Sequence, residues 1–290
     1  MNETYLTSSH REQEPEKKVL YLVGTPIGNL NDFSIRAINI LKNVSLIACE
    51  DTRNTGKLLN HFGIKNKLIS FHKYNSLQRI DYLTLKLGKG DSIALVTDAG
   101  MPLISDPGEL LVRKVKEMNL DVICIPGPCA ALTALVISGL DSSKFTFYGF
   151  MPRSFKERNT LLEIISESKL TSIVYESPKR VVKLLNDLRN FCGGKREITL
   201  LKELTKKYEQ HFGNNIEQVL KIFELIEPKG EFTLVLGGKK NFKDEKEISS
   251  DIIRKDLIDL IKAGLSHSAA STYLSKKTNK SKNEIYKLII

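Results

Sequence analysis

Five short apolar runs, rich in β-branched residues, recur along the first half of the chain at residues 19–23, 45–48, 67–71, 92–97 and 121–125. A helical or loop segment separates each from the next. Such alternation argues for a mainly parallel α/β sheet, since parallel neighbours need crossover connections. The connecting segments carry helix signals. Asn31 or Asp32 can cap a helix with Ile35, Ile38 and Leu41 inward; Thr52 opens one that ends before Gly63, and Ser76 one that ends before Gly88. Asp106-Pro107-Gly108-Glu109 reads as a capping aspartate, a proline at the first helical position and an acid three residues on, ahead of a helix with Leu111, Val115 and Met118 on one face.

If the five runs are parallel strands, the segments that follow them converge on one rim of the sheet, where open α/β sheets bind ligands. They are Gly24-Thr25-Pro26-Ile27-Gly28-Asn29, Cys49-Glu50-Asp51-Thr52-Arg53, His72-Lys73-Tyr74-Asn75, Asp98-Ala99-Gly100-Met101-Pro102 and Pro126-Gly127-Pro128-Cys129-Ala130. The first is neither a dinucleotide fingerprint, its glycines being four apart with a proline between, nor a phosphate-binding Gly-Lys-Ser/Thr loop. Each segment taken singly is also readable as turn punctuation, and Asp51 as a helix cap. Five together on one edge favour a site without naming its ligand.

The chain has 290 residues, 41% hydrophobic and 27% charged, as in soluble globular proteins, and no stretch approaches the roughly 20 apolar residues of a membrane span. Its first 18 residues are polar and read as a disordered leader rather than a secretory signal. The cysteines at 49, 124, 129 and 192 form no Cys-x-x-Cys pair, and the histidines at 10, 61, 72, 211 and 267 do not cluster. No metal site or disulfide framework is expected, and the cytoplasm is the expected compartment. A net charge of +10 suits a polyanionic partner such as nucleic acid, an acidic metabolite, or simply a lysine-rich surface.

A second α/β unit begins near Phe145. A strand over 145–150 leads to Ser154, whose spacing to Glu157 predicts a capping box for a helix through Ile164 and Ile165. Ser172 to Tyr175 is the next strand, Ser177-Pro178 opens a helix burying Val181, Leu184, Leu185 and Leu188, and residues 197–201 and 232–236 are further strands. The expected organisation is a leader over 1–18, an N-terminal α/β domain over 19–138, a linker over 139–144, a second α/β domain over 145–238 and a helical module over 250–290. Residues 239–290 hold 12 Lys/Arg against 7 Asp/Glu. After a charged linker over 239–247, their helical segments resemble a small helix-turn-helix, with Lys276, Lys277, Lys280 and Lys282 placed either to contact RNA phosphates or to form a solvated face.

Residues 22–30, Glu50-Asp51-Thr52-Arg53, Thr97 through Gly108 and Pro126 through Ala130 closely resemble the tetrapyrrole methylase superfamily. The likeness continues through Phe150-Met151-Pro152-Arg153, Tyr175 through Arg180, Lys202 through Lys206 and Lys229 through Thr233. It covers roughly residues 19 to 238. Tetrapyrrole-modifying members carry Gly-x-Gly-Pro-Gly-Asp in the first loop and Gly-Asp-Pro in the third. Here Gly24-Thr25-Pro26-Ile27-Gly28-Asn29 and Gly100-Met101-Pro102 stand instead, which is similar to the branch that methylates small-subunit ribosomal RNA.

The resemblance implies two α/β domains with S-adenosyl-L-methionine in the cleft between them, usually in a homodimer, and as substrate the 2'-hydroxyl of a cytidine ribose in 16S ribosomal RNA of the small subunit, with no metal and no membrane. Carried over by position, Gly24, Pro26, Asp98, Gly100, Met101, Ile104, Cys129 and Ala130 would meet the cofactor, and Tyr175, Leu204, Glu231 and Thr233 would close over it. Ordinary core packing is the other reading of Tyr175 and Leu204. A ribose hydroxyl needs an acceptor for its proton, and Glu50 and Asp51 are the candidates, with Arg53 and Lys57 to bind phosphate or steady negative charge. Arg153, Lys179, Arg180 and Lys206 would line an RNA path on the second domain. Two rivals stand beside this reading: methylation of a tetrapyrrole or other small acidic metabolite, and a non-catalytic RNA-binding assembly factor.

Overall fold

The computed structural model describes residues 14–240, 250–278 and 280–289. Most of the expected leader, up to residue 13, lies outside them, as do residues 241–247 of the expected charged linker.

Strands β1 (Leu20–Val23), β2 (Leu46–Cys49), β3 (Leu68–Ser70), β4 (Ile93–Val96) and β5 (Val122–Ile125) form one sheet in the order β3-β2-β4-β1-β5, with every pair parallel. Strands β2 and β4 are buried along their whole length, as their unbroken apolar sequences require of strands covered on both faces. The two-residue period sorts the side chains. Tyr21, Ile47, Ala94 and Val96 pack with Ala37, Ile40 and Leu41 of helix α1 (Ile35–Asn43) and Leu59 of α2 (Thr52–His61). Leu20, Leu46, Ile93 and Leu95 pack on the other side with Ile80, Leu83 and Leu87 of α3 (Ser76–Gly88) and Leu111 and Val115 of α4 (Glu109–Glu117).

Two helix starts differ from the sequence expectation. Residues 30–32 close a separate 3-10 turn, so α1 begins at Ile35 under Ser34, whose hydroxyl accepts from the Ala37 amide at 3.1 Å; Ile35 itself is exposed. Helix α4 begins at Glu109 after Gly108, which stands at φ +144°, and Asp106 does not cap it. A Cβ on Gly108 would come within 2.8 Å of Leu95 Cδ2, so the chain turns there on a glycine that only backbone fits. Met118 at the far end of α4 is exposed.

The second sheet runs β6-β7-β10-β8-β9. Strands β6 (Phe145–Phe150) and β7 (Thr171–Glu176) are parallel, while β10 (Phe232–Leu236), β8 (Glu197–Lys202) and β9 (Gln210–Asn215) join antiparallel. The polar edge strand β9, Gln-His-Phe-Gly-Asn-Asn, gave no sequence signal. Helices α6 (Phe155–Glu167), α7 (Pro178–Cys192) and α8 (Ile216–Phe223) cover one face through Leu162, Ile165, Val181, Leu184, Leu188 and Val219. Ser154 precedes α6 without a side-chain cap, so the expected box with Glu157 is not made. The other face is covered by α5 (Ala130–Ser138), whose Ala131, Ala134 and Leu135 pack on Ile173, Leu201 and Val235. This helix, expected to end the first domain, therefore packs on the second sheet. Its sequence, Ala-Ala-Leu-Thr-Ala-Leu-Val-Ile-Ser, is apolar on every side and gives no direction in which to bury.

The described residues of 250–278 and 280–289 form three α-helices, α9 (Ser250–Lys262), α10 (His267–Lys277) and α11 (Lys282–Tyr286), around Ile253, Leu257, Ala270, Leu274 and Ile285. The spacing of Ser281 to Glu284 makes a complete capping box on α11. Among the described residues no helix is long and apolar enough to cross a membrane.

The end of β1 is the tightest point of the first sheet. The Gly24 amide donates to the Ile125 carbonyl at 3.1 Å, and a Cβ on Gly24 would stand 2.8 Å from Gly127 Cα. Gly24→Ala must push two backbones apart and is expected to destabilise the protein by about 1–3 kcal/mol, read as a lowered urea midpoint. An unchanged midpoint would show that the loops separate freely.

Candidate active site

The loops after β1, β4 and β5 are bound to one another before any ligand is considered. Thr25 and Gly100 exchange two backbone hydrogen bonds, 2.9 and 3.1 Å, and the Thr25 hydroxyl donates to the Thr97 carbonyl at 3.1 Å. Gly100 stands at φ +87°, which a side chain would strain. The stitched rim forms one wall of a cavity of about 350 Å³, within the roughly 300–1,000 Å³ usual for small-ligand sites. Ile27, Asp98, Ala99, Gly100, Met101, Ile104, Cys129 and Ala130 line it from the first half of the chain, and Phe150, Tyr175, Glu176, Leu201, Leu204, Glu231, Phe232 and Thr233 from the second.

Carboxylates gather on this wall. Glu50, at the end of β2, and Asp106, in the loop after β4, both line the cavity. The buried Thr97 hydroxyl donates to Glu50 Oε2 at 3.4 Å. Burial pushes the Glu50 carboxyl above its ordinary pKa, reinforced by the charges of Asp106 and Asp98 and only partly offset by Thr97. Asp106 is raised for the same leading reason. Asp98 sits beside them, with its oxygens accepting from the Asp51 amide at 3.3 Å and Asn54 Nδ2 at 2.8 Å. The neighbouring carboxylates thus differ sharply in character from Asp51. That residue caps α2, accepts from the Arg53 amide at 2.8 Å and is gripped by the Arg53 guanidinium at 3.1 and 2.7 Å. These bonds hold its pKa down at about 2, and of the two neighbours Glu50 is the carboxylate that lines the cavity.

The second sheet supplies the opposite wall through side chains held from behind. The Tyr175 hydroxyl accepts from the Ala131 amide at 3.0 Å at the start of α5, and its ring meets Phe147 and Phe150 edge-on. Burial pushes its phenol pKa upward, so it stays neutral. Tyr175 and Leu204 each do what was posed as alternatives: they pack in the inter-sheet core and also line the cavity. Non-glycine residues in the left-handed region flank two lining side chains, Leu103 (φ 71°) and Ser105 (φ 69°) around Ile104, Glu203 (φ 53°) and Thr205 (φ 66°) around Leu204. Such strain persists only where neighbours impose it. Here Thr205 Oγ1 accepts from the Asn29 amide at 3.1 Å, and the Thr205 amide donates to Glu209 Oε2 at 2.5 Å.

Of the residues expected to meet the cofactor, ten line this cavity; Gly24 and Pro26 do not, Gly24 being spent on the contact with Gly127. The residues expected on an RNA path divide. Arg180 binds buried Glu176 at 2.7 Å and donates to the Met151 carbonyl at 3.2 Å, so it neutralises the cavity wall together with Arg158 instead of facing solvent freely. Lys206 bridges Glu203 and Glu231, 3.0 Å to each, with its stem against Gly28. Lys57, Arg153 and Lys179 are exposed, as are Lys276 and Lys277 of the separate helical unit, where Lys280 donates to Ser250 at 2.7 Å. Asp106, Glu176 and Phe150 are lining residues that the sequence reading missed; Asp106 was hidden because Asp-Pro-Gly-Glu imitates a helix start.

An apolar cavity with carboxylates at its edge, at the carboxyl rim of a parallel sheet, is the build of a cofactor-dependent α/β enzyme. The chain belongs to the tetrapyrrole (corrin/porphyrin) methylase family, whose model matches residues 19–220. It is 43% identical over 270 residues to a Synechocystis protein, covering 93% of this chain and 96% of that one. It is 41% identical to a Haemophilus influenzae protein over 92% and 95% of the two chains, and 40% to one from Escherichia coli O157:H7 over 96% of each. All three bear the name ribosomal RNA small subunit methyltransferase I. Two solved structures share the fold at low identity. Uroporphyrin-III-C-methyltransferase from Thermus thermophilus has TM-score 0.54 and 16% identity, over 76% of this chain and 94% of that one. Cobalt precorrin-4 methyltransferase has TM-score 0.55 and 12% identity, over 76% and 95%.

Because Glu50 has its pKa raised in the folded state, it favours the fold below its unfolded-state pKa and weighs against it as pH rises through the folded value. Glu50→Gln is therefore expected to raise the melting temperature at about pH 7.5 and leave it near wild type at about pH 4. A shift of equal size at both pH values would exclude the ionisation as its cause.

Proposed function

We propose that this chain methylates the 2'-hydroxyl of a cytidine ribose in 16S ribosomal RNA of the small subunit, with S-adenosyl-L-methionine as donor. The carrying observation is identity of about 40% over nearly the full length to the ribosomal RNA small subunit methyltransferases I. S-adenosyl-L-methionine, when bound, supplies a methyl group on a positively charged sulfonium. The residues present suit it: Ile27, Ile104, Leu201 and Leu204 offer apolar walls for an adenosine, and Glu50, Asp98 and Asp106 offer negative charge for a cationic donor.

Glu50 takes the proton that a ribose hydroxyl must lose to become a nucleophile, and its raised pKa makes it a better base than an ordinary carboxylate. Thr97 holds that carboxylate in place. Arg53 anchors RNA phosphate, and Lys57, Arg153 and Lys179 extend the basic path. A substrate of ribosomal subunits makes the cytoplasm the compartment we infer for it. A homodimer is the assembly we propose, since α5 leaves Leu132, Val136 and Ile137 exposed on the side away from the second sheet, with Val136 79% accessible.

Incubation with labelled S-adenosyl-L-methionine and small subunits lacking the modification is expected to label a cytidine 2'-oxygen, and Glu50→Gln to lower kcat by about 100-fold or more. Unlabelled RNA would overturn the function, and wild-type turnover by Glu50→Gln would remove its role. Val136→Asp is expected to halve the mass seen by light scattering; an unchanged mass would place any dimer contact elsewhere.

A further inference from the structure

Beside the cofactor cavity, and sharing Glu50 and Asp98 with it, lies an open groove of about 460 Å³ lined also by Asp51, Thr52, Arg53, Ser70, His72, Lys73 and Tyr74. Tyr74 is 94% exposed, more than any other large apolar or aromatic side chain among the described residues. An exposed ring on a loose loop would mean little, but this loop is tied down. Asn75 Oδ1 accepts from the His72 amide at 2.8 Å, Asn75 Nδ2 donates to the Ser70 carbonyl at 3.2 Å and to its hydroxyl at 3.3 Å, and the Tyr74 amide donates to His72 Nδ1 at 3.3 Å. The His72 ring stands edge-on to Tyr74 at 6.0 Å. Charge is sorted across the groove. Glu50 and Asp98 occupy the wall shared with the cavity, Asp51 is neutralised by Arg53, and Lys73 lies next to Tyr74 on the wall that belongs to the groove alone.

We infer that this groove seats the acceptor nucleotide, with its base stacked on the Tyr74 ring, a flanking phosphate on Lys73 and its ribose toward Glu50. The inference rests on the proposed RNA methylation and adds the subsite that presents the hydroxyl. A base drawn out of its stack loses stacking with its neighbours, and an exposed aromatic face on a tied-down loop replaces it. The ring and not the phenol carries this contact, and the role is one of positioning, since Tyr74 does not line the cofactor cavity.

The test uses the full-length protein and small ribosomal subunits lacking the modification, with wild-type labelling established first so that failure of the overall function is seen separately. Tyr74→Ala is expected to lower kcat/KM for subunits by about 10- to 100-fold, the range of base–aromatic stacking, while Tyr74→Phe keeps it within about twofold of wild type. Calorimetric affinity for S-adenosyl-L-methionine should be the same in all three proteins. Wild-type kcat/KM in Tyr74→Ala would overturn the inference. So would equal losses in Tyr74→Phe and Tyr74→Ala, which would make the hydroxyl the active group, or weakened cofactor binding in Tyr74→Ala, which would place the ring in the cofactor site.

Discussion

The paired backbone bonds between Thr25 and Gly100, backed by the glycine contact of Gly24 with Gly127, are the constraint on which the site depends. Three loops that leave neighbouring strands β4, β1 and β5 become one rigid rim through these contacts. No side chain could intervene at Gly24 or Gly127 without parting the backbones, so the glycines serve closeness more than flexibility. The rim carries Asp98, Gly100 and Met101 on one side and Cys129 and Ala130 on the other, which fixes the cavity wall before any ligand arrives.

The second sheet is coupled to that rim by burial. Helix α5 starts in the rim, at Ala130, and packs on the second sheet, so the two halves share a core that holds Ile27 and Leu135 together with Leu204 and Val235. Tyr175 adds a hydrogen bond across the same junction. Arg158 and Arg180 offset buried Glu176 in the cavity wall, where an unpaired carboxylate would be strongly unfavourable. The division of labour among carboxylates follows from such local partners. Asp51 is held ionised by Arg53, whereas Glu50 and Asp106 line the cavity and are raised chiefly by burial.

Much of this was legible from the residues. Unbroken apolar runs announced strands covered on both faces, and their order along the chain placed Gly24, Glu50, Asp98 and Cys129 on one edge. Signals failed where two structures share one local pattern. Asp106-Pro107-Gly108-Glu109 imitates a helix start, yet the Asp106 side chain turns into the cavity because Gly108 begins α4 instead. The same ambiguity hid β9, whose polar alternation is that of an exposed loop, and the destination of α5, whose apolar sequence points in no direction.

The sequence by itself determined the order of strands along the chain, the rim on which the ligand-facing loops gather and the kinship with methylases, because periodicity, glycine placement and motif are local properties. Tertiary structure alone decided the strand order in space, the packing of α5 and the ion pairs made by Arg180 and Lys206. It also separated Glu50 from Asp51. Adjacent in sequence and identical in charge, they differ because one side chain is desolvated among carboxylates and the other is held by a guanidinium, and those surroundings are assembled only by the fold.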